Sequence, residues 1–259
     1  EMKIALITAV WKRPRLTRIV LSYLTRMTRF YPWVDVRRVA VYSDEDDWTQ
    51  DEISDLGWHA VKFRNQPVSE KLNAGIREID LRWDPDAVMV VDTDCLIPAE
   101  WLEWVGQRMA KGAQIAYLNG GAFLNLVDGH DEAGSALYTE PFQFGPGMTF
   151  DWELVQDVDL ELWPGQHNQN LNNLALQNIL LRPPVIDVAI CEHPYQAGTV
   201  PMEVKVGDGI HSWENILQRV ASARRQSFPW SGPEAYDLYD EESVESLWQL
   251  RHAPHKVDG

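Results

Sequence analysis

Two aspartates separated by one threonine follow a short apolar stretch near the middle of the chain. The segment VMVVDTDCLIP spans residues 88–98 and contains Asp92 and Asp94. Carboxylates at positions i and i+2 of a turn can reach the same hard divalent cation, and proteins commonly hold Mg2+ through one or two carboxylates plus the phosphates of a substrate. A capped strand end in solvent is the simpler alternative. The position directly after an apolar strand favours a cation site.

Alternating strands and helices are predicted on both sides of this pair. Short runs rich in β-branched residues indicate strands, and apolar residues at helical spacing indicate helices. The pattern predicts an α/β protein with a mostly parallel central sheet flanked by helices and with a carboxyl-terminal helical or loop appendage. The predicted strands are 3–10, 36–42, 58–63, 87–91, 115–118, 122–126 and 185–191. The predicted helices are one that begins at Pro14, then 48–56, 67–83, 98–110, 166–181, 213–223 and an acidic amphipathic end at 234–250, with a hairpin or long loop at 194–209.

The carboxyl ends of the predicted strands define where a ligand is expected. Open α/β sheets bind their ligands at the edge where the parallel strands end. Residues 8–11, 43–46 and 92–94 each follow or end a predicted strand. We therefore expect these three segments to lie along one edge of the sheet.

The charge of the chain limits the classes of partner. The 259 residues carry a formal net charge of −16, with a pI near 4.8. Such a protein does not hold a nucleic-acid backbone or an anionic membrane through its overall field, and it suits the handling of cations. Basic residues are nevertheless concentrated in the first forty positions, where they form either a patch for a phosphate-bearing ligand or a solvated helix face.

Cysteine content and hydropathy bear on the compartment. Cys95 and Cys191 are too few for a disulfide framework, although they could pair once. No apolar run approaches ~18 residues, and the amino terminus has no signal-peptide pattern. We expect a cytoplasmic protein without a transmembrane segment.

Several segments in order resemble the glycosyltransferases of the GT-A fold. The first strand is followed by Trp11-Lys12-Arg13-Pro14, and Ser43-Asp44 stands where the second strand of these enzymes offers an acidic residue. The segment SEKLNAGI at 69–76 is similar to their basic-x-Asn-x-Gly-Ile helix start, and it precedes the Asp-Thr-Asp segment at the family's usual separation. The resemblance covers residues 3–126 and implies a GT-A-like fold.

The resemblance also implies a set of ligand-binding residues. Asp92 and Asp94 would hold Mn2+ or Mg2+, with a third ligand from the carboxyl-terminal half, His211 in preference to His193. In the helix start, Lys71 and Asn73 would present a charge and an amide to the nucleotide, and Gly75 would let the helix approach it. The residues implied to contact a nucleotide diphosphate sugar are Thr8, Ala9, Trp11, Arg13, Ser43, Asp44, Lys71, Asn73, Asp92 and Thr93.

The catalytic group is less well defined by the same resemblance. Asp151 and Asp157 lie in segments similar to the acidic pair of inverting members, but Phe150 and Gln156 replace the preceding acid. Gln169 lies in NQNLNN at 168–173, which is similar to an element of retaining members that has acids in place of these amides. The asparagine-rich segment could instead cap a helix. Inversion and retention both remain open.

The implied function is transfer of a sugar from a nucleotide diphosphate sugar to an acceptor hydroxyl. Residues 1–126 would bind the nucleotide sugar, 127–225 would form the acceptor side, and 226–259 would be an acidic appendage. A glycan, a small molecule or a protein is expected as acceptor in preference to nucleic acid; the oligomeric state is not predicted. Two alternatives remain: an inactive carbohydrate- or nucleotide-binding module, and a haloacid-dehalogenase-like phosphatase. The phosphatase is disfavoured because its nucleophilic Asp motif normally lies near the chain start.

Overall fold

Ten strands and seven helices are present in the part of the chain that the computed structural model describes. That part comprises residues 2–29, 33–46, 48–126, 135–182, 184–185, 187–192, 200–205, 216–218, 224–229 and 240–252. The strands are β1 Met2–Ala9, β2 Val34–Tyr42, β3 His59–Lys62, β4 Ala87–Val90, β5 Cys95–Leu96, β6 Ile115–Asn125, β7 Ser135–Asp151, β8 Val188–Cys191, β9 Met202–Lys205 and β10 Arg224–Pro229. The helices are α1 Pro14–Arg29, α2 Gln50–Asp55, α3 Val68–Arg82, α4 Ala99–Met109, α5 Trp152–Asp157, α6 Leu171–Leu181 and α7 Glu241–His252.

The amino-terminal half of the sheet is parallel. Its strands lie in the order β3-β2-β1-β4, and each neighbouring pair runs in the same direction. The four residues of β4 are all buried, as expected for a strand that is covered by helices on both faces. All four strands therefore end at one edge, which we call the carboxyl edge. This part of the α/β prediction is confirmed.

A long antiparallel strand extends the sheet beyond β4. Strand β7 pairs antiparallel with both β4 and β6, and β6 then pairs parallel with β8 and β9. The sequence did not predict β7, because Gly145, Pro146 and Gly147 interrupt its apolar pattern. Strand β6 is continuous where two strands were expected, and it absorbs the glycines at 120 and 121 through register shifts against β7. The complete sheet is mixed, and helices flank it.

The alternation of β1 explains why helices cover both faces. Ile4 and Leu6 point into a core that includes α1, α2, α4 and α7, whereas Ala5 and Ile7 point into a second core with α3, α5 and α6. Successive side chains of a strand point to opposite faces, so an uninterrupted apolar strand needs cover on each side. None of the helices in the described ranges is long and apolar enough to cross a membrane. Both cysteines are buried, and no disulfide joins them.

The last helix, α7, packs on α1. Val244 and Leu247 of α7 are fully buried in the core that α1 shares. Arg26 of α1 donates to Asp240 at 3.0 Å, to Glu242 at 3.0 Å and to the Ser243 hydroxyl at 2.8 Å. One guanidinium thus holds the first turn of α7 and the residue before it.

Arg26→Ala is expected to lower the free energy of unfolding by about 1 kcal/mol, since it removes a partly exposed ion-pair network. Urea unfolding at low and high salt measures this loss, which should shrink in high salt because added ions screen the pairs. Arg37→Ala is the matched control, because in the described part of the chain Arg37 pairs only with Asp35, and the Arg37 side chain is exposed. Equal effects of the two substitutions would contradict a role for Arg26 in docking α7.

Candidate functional site

The Asp-Thr-Asp segment lies at the carboxyl edge, in a turn that the backbone holds from both sides. The Val91 amide donates to the Ile7 carbonyl at 3.0 Å, which prolongs the β1–β4 pairing by one residue. The Val204 amide of β9 donates to the Asp94 carbonyl at 2.7 Å. Asp92, Thr93 and Asp94 are half-buried. Both carboxylates are therefore presented at the end of a central strand by rigid neighbours.

Arg13 supplies a cation to this pair. Its guanidinium donates to Asp94 Oδ2 at 2.8 Å. Arg13 and Lys12 have φ values of 46° and 52°, in the left-handed region that non-glycine residues rarely adopt. Such backbone strain clusters at functional sites, where the surroundings enforce it. The strained turn after β1 thus lets the Arg13 side chain reach the Asp-Thr-Asp segment.

A third carboxylate, Glu203, stands near the two aspartates. Glu203 of β9 lies opposite Cys95 in the β5–β9 pair and forms an ion pair with Lys205, whose side chain is buried. Burial raises the pKa of Asp92 to about 7, and the negative charges of Asp94 and Glu203 add to this rise, while Lys205 opposes it. Burial likewise raises the pKa of Glu203. The cluster thus contains three carboxyl groups and two basic side chains, Arg13 and Lys205.

Sequence reasoning missed Glu203 and Lys205 because it assigned 194–209 to a hairpin or loop. The signal was present, since apolar Met202 and Val204 alternate with these two charged residues as in a half-buried strand.

The donor set fits a hard divalent cation that is completed by substrate oxygens. In the described ranges, no group of three or more His, Cys, Asp or Glu side chains is arranged to hold a metal ion. Two aspartates at one edge match the mode in which Mg2+ uses one or two carboxylates together with phosphate. Asp94 already binds a cationic group in this structure, that of Arg13. The proposed third ligand His211, and its alternative His193, lie outside the described residues.

Lys71 lies beneath the carboxyl edge rather than on it. Its ammonium donates to the Val10 carbonyl and, at 2.8 Å, to Asn65 Oδ1, and its side chain is almost completely buried. Burial lowers the pKa of Lys71 to about 8, although the nearby charges of Asp46 and Glu45 act in the opposite direction. The buried charge joins the end of β1 to the loop after β3.

The lowered pKa of Lys71 predicts a pH-dependent stability. Above about pH 8 the folded chain releases this proton, whereas the unfolded chain keeps it up to about pH 10.4. The free energy of unfolding should therefore gain up to ~1.4 kcal/mol per pH unit across this window from Lys71 alone. Urea unfolding measures this gain when the natural chain and Lys71→Met are compared at several pH values between about 7 and 10. The variant should lack the gain in the free energy of unfolding. Lys111→Met, at an exposed lysine, should keep it; parallel pH profiles of the natural chain and Lys71→Met would contradict the prediction.

Asn73 and Gly75 do not face the carboxyl edge in the way the sequence predicted. The Asn73 amide donates to the Trp163 carbonyl at 2.8 Å and accepts from the Trp163 amide at 3.1 Å. A Cβ on Gly75 would lie 2.7 Å from Val41 Cγ2 and 2.8 Å from Ile7 Cδ1. Both residues therefore serve packing: Asn73 holds a distant backbone segment, and Gly75 lets α3 approach the sheet rather than a nucleotide.

The other predicted donor-contact residues lie along the carboxyl edge at differing depth. Thr8 is buried, and within the described residues its hydroxyl has no hydrogen-bond partner. Trp11 is 49% exposed, with the Lys12 ammonium 4.8 Å from its ring centroid. Ser43 is buried and accepts from the Glu45 amide at 3.2 Å. Three more complete the set: Ala9 half-buried at the end of β1, Asp44 exposed and paired with Lys62, and Thr93 half-buried between the aspartates.

The structure separates the three candidate catalytic residues. Asp151 is paired with Ala87 at the amino end of β4. Five residues of extended chain separate Ala87 from Asp92, which corresponds to about 16 Å. Its carboxylate caps α5 by accepting from the Glu153 amide at 2.9 Å. Asp157 is exposed at the end of α5, beyond Gln156, which contacts Asp80 late in α3. These positions argue against a catalytic role for Asp151 and Asp157 at the carboxyl edge.

Gln169 lies near the carboxyl edge of the sheet, where Asp92 and Asp94 also lie. It is exposed in the loop before α6, and the preceding residues of that loop contact the first turn of α3, which begins at the carboxyl edge. Of the three candidates, Gln169 is the one that shares the edge of Asp92 and Asp94.

Comparison with solved structures identifies proteins of similar architecture. The crystal structure of S. aureus TarS 1-349 in complex with UDP-GlcNAc matches with a TM-score of 0.56 and 14% sequence identity, over 97% of this chain and 72% of that chain. Glucosyl-3-phosphoglycerate synthase from Mycobacterium tuberculosis, in complex with Mn2+, UDP and phosphoglyceric acid, matches with a TM-score of 0.51 and 12% identity, over 89% of this chain and 88% of that chain. The chain has a GT-A-like fold. At these identities the similarity concerns the fold alone.

Other comparisons delimit the GT-A-like assignment. No protein-family model matches the sequence, and no curated protein matches it. Against the longer structure of S. aureus TarS, the chain spans 42% of the other protein's length, with a TM-score of 0.53. In this GT-A-like fold, Asp92 and Asp94 lie at the carboxyl end of a central strand.

Proposed function

We propose that this protein is a metal-dependent glycosyltransferase that moves a sugar from a nucleotide diphosphate sugar to an acceptor hydroxyl. The observation that carries the proposal is the Asp92–Asp94 pair, half-buried at the carboxyl end of β4 in a GT-A-like fold. Two proteins of similar architecture were solved with UDP-GlcNAc and with Mn2+ and UDP, respectively. Both ligand sets contain a diphosphate or its metal partner, which is the chemistry that paired aspartates at this edge accommodate.

In the proposed reaction, Asp92 and Asp94 would hold Mn2+ or Mg2+. A metal bound there would supply a Lewis acid that stabilises the negative charge of the leaving diphosphate. Arg13 adds a positive charge beside the Asp94 carboxylate. Trp11 and Asp44, which are exposed just after β1 and β2, are the residues that we propose to contact the nucleoside. Residues 1–126 thus bind the donor.

In this proposal, residues 127–225 form the acceptor side, and Gln169 contributes to it from the loop before α6. Its amide can orient an acceptor hydroxyl but cannot take its proton. A glycan, a small molecule or a protein is the proposed acceptor class. Residues 226–259 include α7, whose contacts with α1 stabilise the helix that begins next to Arg13.

One observation favours a second candidate, a GT-A-like module that binds a nucleotide sugar without turnover. Asp151 and Asp157 lie away from the carboxyl edge, so neither serves there as general base. A module of this kind would retain metal-dependent donor binding but would release no sugar.

A thermal-shift panel of UDP-, GDP-, CMP- and dTDP-sugars tests the proposal. Each donor is measured with Mn2+ and with a chelator, and any donor that stabilises the chain enters a sugar-release assay. We expect one donor to raise the melting temperature only with metal and to be hydrolysed slowly. Stabilisation without release supports the binding module. No stabilisation by any donor refutes both.

A further inference from the structure

We infer that the segment between α5 and α6, residues 161–170, forms the binding surface for an acceptor that is neutral and rich in hydroxyl groups, such as an unphosphorylated sugar. This inference rests on the proposed function and specifies the acceptor class. The segment is called the 161–170 loop.

Three buried polar side chains hold the backbone of the 161–170 loop. Ser69 donates through its hydroxyl to the Gly165 carbonyl at 2.8 Å and accepts from the His167 amide at 2.9 Å. Asn73 exchanges two hydrogen bonds with the backbone of Trp163. Asn178 of α6 donates to the Glu161 carbonyl at 2.8 Å. The loop is therefore fixed from α3 on one side and from α6 on the other.

Backbone contacts reinforce this anchorage. The Ser69 amide donates to the His167 carbonyl at 3.0 Å, and the Val68 amide donates to Asn168 Oδ1 at 2.9 Å. The first amides of α3, which a helix leaves without internal partners, are thus used by the loop. Asn170 has φ 55° in the left-handed region. Burying polar side chains is costly unless they are hydrogen-bonded, so three such residues committed to one loop specify its conformation.

The rigid loop presents a strip of uncharged polar side chains. Residues 166–170 are Gln, His, Asn, Gln and Asn, and all five are exposed. Amide and imidazole groups both donate and accept, which matches hydroxyl groups, since these also do both. Rigidly held loops with exposed polar side chains are where binding residues concentrate.

Arg64, on the same side as this strip, already forms an ion pair with a carboxylate. Gln166 donates to Glu70 Oε1 at 3.1 Å, and Glu70 forms an ion pair with Arg64. Recognition of a phosphate or carboxylate typically uses arginine or lysine, which form charge-assisted hydrogen bonds with it. The strip itself contains neither residue. Its composition therefore suits a neutral acceptor.

The location of the loop links it to the proposed donor site. Asn172, in the first turn of α6, packs against Gly145, where a Cβ would lie 1.7 Å from Asn172 Nδ2. Gly145 belongs to the part of β7 that lies beyond the carboxyl end of β4, since the β4–β7 pairing covers only Thr149, Phe150 and Asp151. The loop and the aspartates thus occupy the same edge of the sheet.

Saturation-transfer NMR of the full chain with Mg2+ tests the inference without a donor. One sample contains lactose, maltose and mannitol together with glucose 6-phosphate and 3-phosphoglycerate. We expect saturation of the neutral ligands and at least about fivefold less saturation of the two anions, because the strip itself contains no arginine or lysine that could form charge-assisted hydrogen bonds with them. Preferential saturation of the anions, or of no ligand, overturns the inference.

Substitutions at His167 locate the surface. His167→Ala should lower the affinity for the neutral ligands about tenfold, because it removes a hydrogen-bonding side chain. Gln107 is an exposed amide on α4, and Gln107→Ala should leave the binding of these ligands unchanged. His167→Lys should bring the glucose 6-phosphate signal up to that of the neutral ligands. Unchanged binding in His167→Ala overturns the assignment of the loop. If the donor panel succeeds and the neutral ligands fail, this inference alone is wrong; if no donor binds, the proposed function fails.

Discussion

Asp92→Asn is expected to reduce sugar transfer about a thousandfold, which corresponds to about 4 kcal/mol of transition-state stabilisation. The substitution preserves the shape of the side chain and removes one of the two charged metal ligands. The metal-dependent increase in melting temperature with the donor should disappear as well. Initial rates of transfer and thermal shifts with Mn2+ measure both effects.

Asp84→Asn is the matched control for Asp92→Asn. Asp84 is exposed and lies just before the amino end of the same strand, so the chemical change is identical but the opposite edge of the sheet is affected. It should transfer sugar at the rate of the natural chain. If Asp92→Asn keeps more than about a tenth of the natural rate, a deficit of less than ~1.4 kcal/mol, the pair does not hold a catalytic metal.

Gly75→Ala and Gly106→Ala are expected to change stability in opposite directions. Alanine is favoured over glycine by about 1 kcal/mol in a helix interior, so helix propensity alone predicts stabilisation at both positions. At Gly75, however, the new Cβ would lie 2.7 Å from Val41 Cγ2 and 2.8 Å from Ile7 Cδ1, and α3 would have to move away from the sheet. Overpacking of this kind costs about 1–3 kcal/mol and outweighs the helix propensity, so we expect a net loss of up to about 2 kcal/mol.

At Gly106 in α4, the same Cβ would make ordinary contacts, 3.7 Å from Val34 and 3.9 Å from Met2. We expect a gain of about 0.5–1 kcal/mol there. Urea unfolding of the two variants and the natural chain measures the sign of each change. Stabilisation by Gly75→Ala would show that α3 is not packed against β1 and β2 as closely as the structure indicates.

The amino-terminal half could be predicted because its signals are local. Strands β1 to β4 and helices α1, α3 and α4 follow from runs of apolar residues and from helical spacing, and the carboxyl ends of parallel strands must share an edge. That reasoning brought Thr8, Ser43 and Asp92 to one side of the sheet without any tertiary information.

The carboxyl-terminal half depends on pairing between distant segments. β7 is interrupted by glycine and proline in sequence, and its hydrogen bonds to β4, β6 and β10 define it as a strand. A sequence pattern at Asp151 resembled a catalytic motif, but the register of β7 on β4 places that residue at the opposite edge. Register is set by long-range hydrogen bonding, which local residue types do not encode.

The α/β alternation and the position of Asp92 and Asp94 after a buried strand follow from the residue pattern, because short-range periodicity specifies both. The charged groups that surround the two aspartates depend on tertiary packing instead. Arg13 reaches Asp94 through a strained turn, and Glu203 arrives with Lys205 on a strand more than one hundred residues later. The tertiary structure also showed that Lys71 and Asn73 are buried connectors, since a side chain's partners depend on which elements pack against it and not on the motif that contains it.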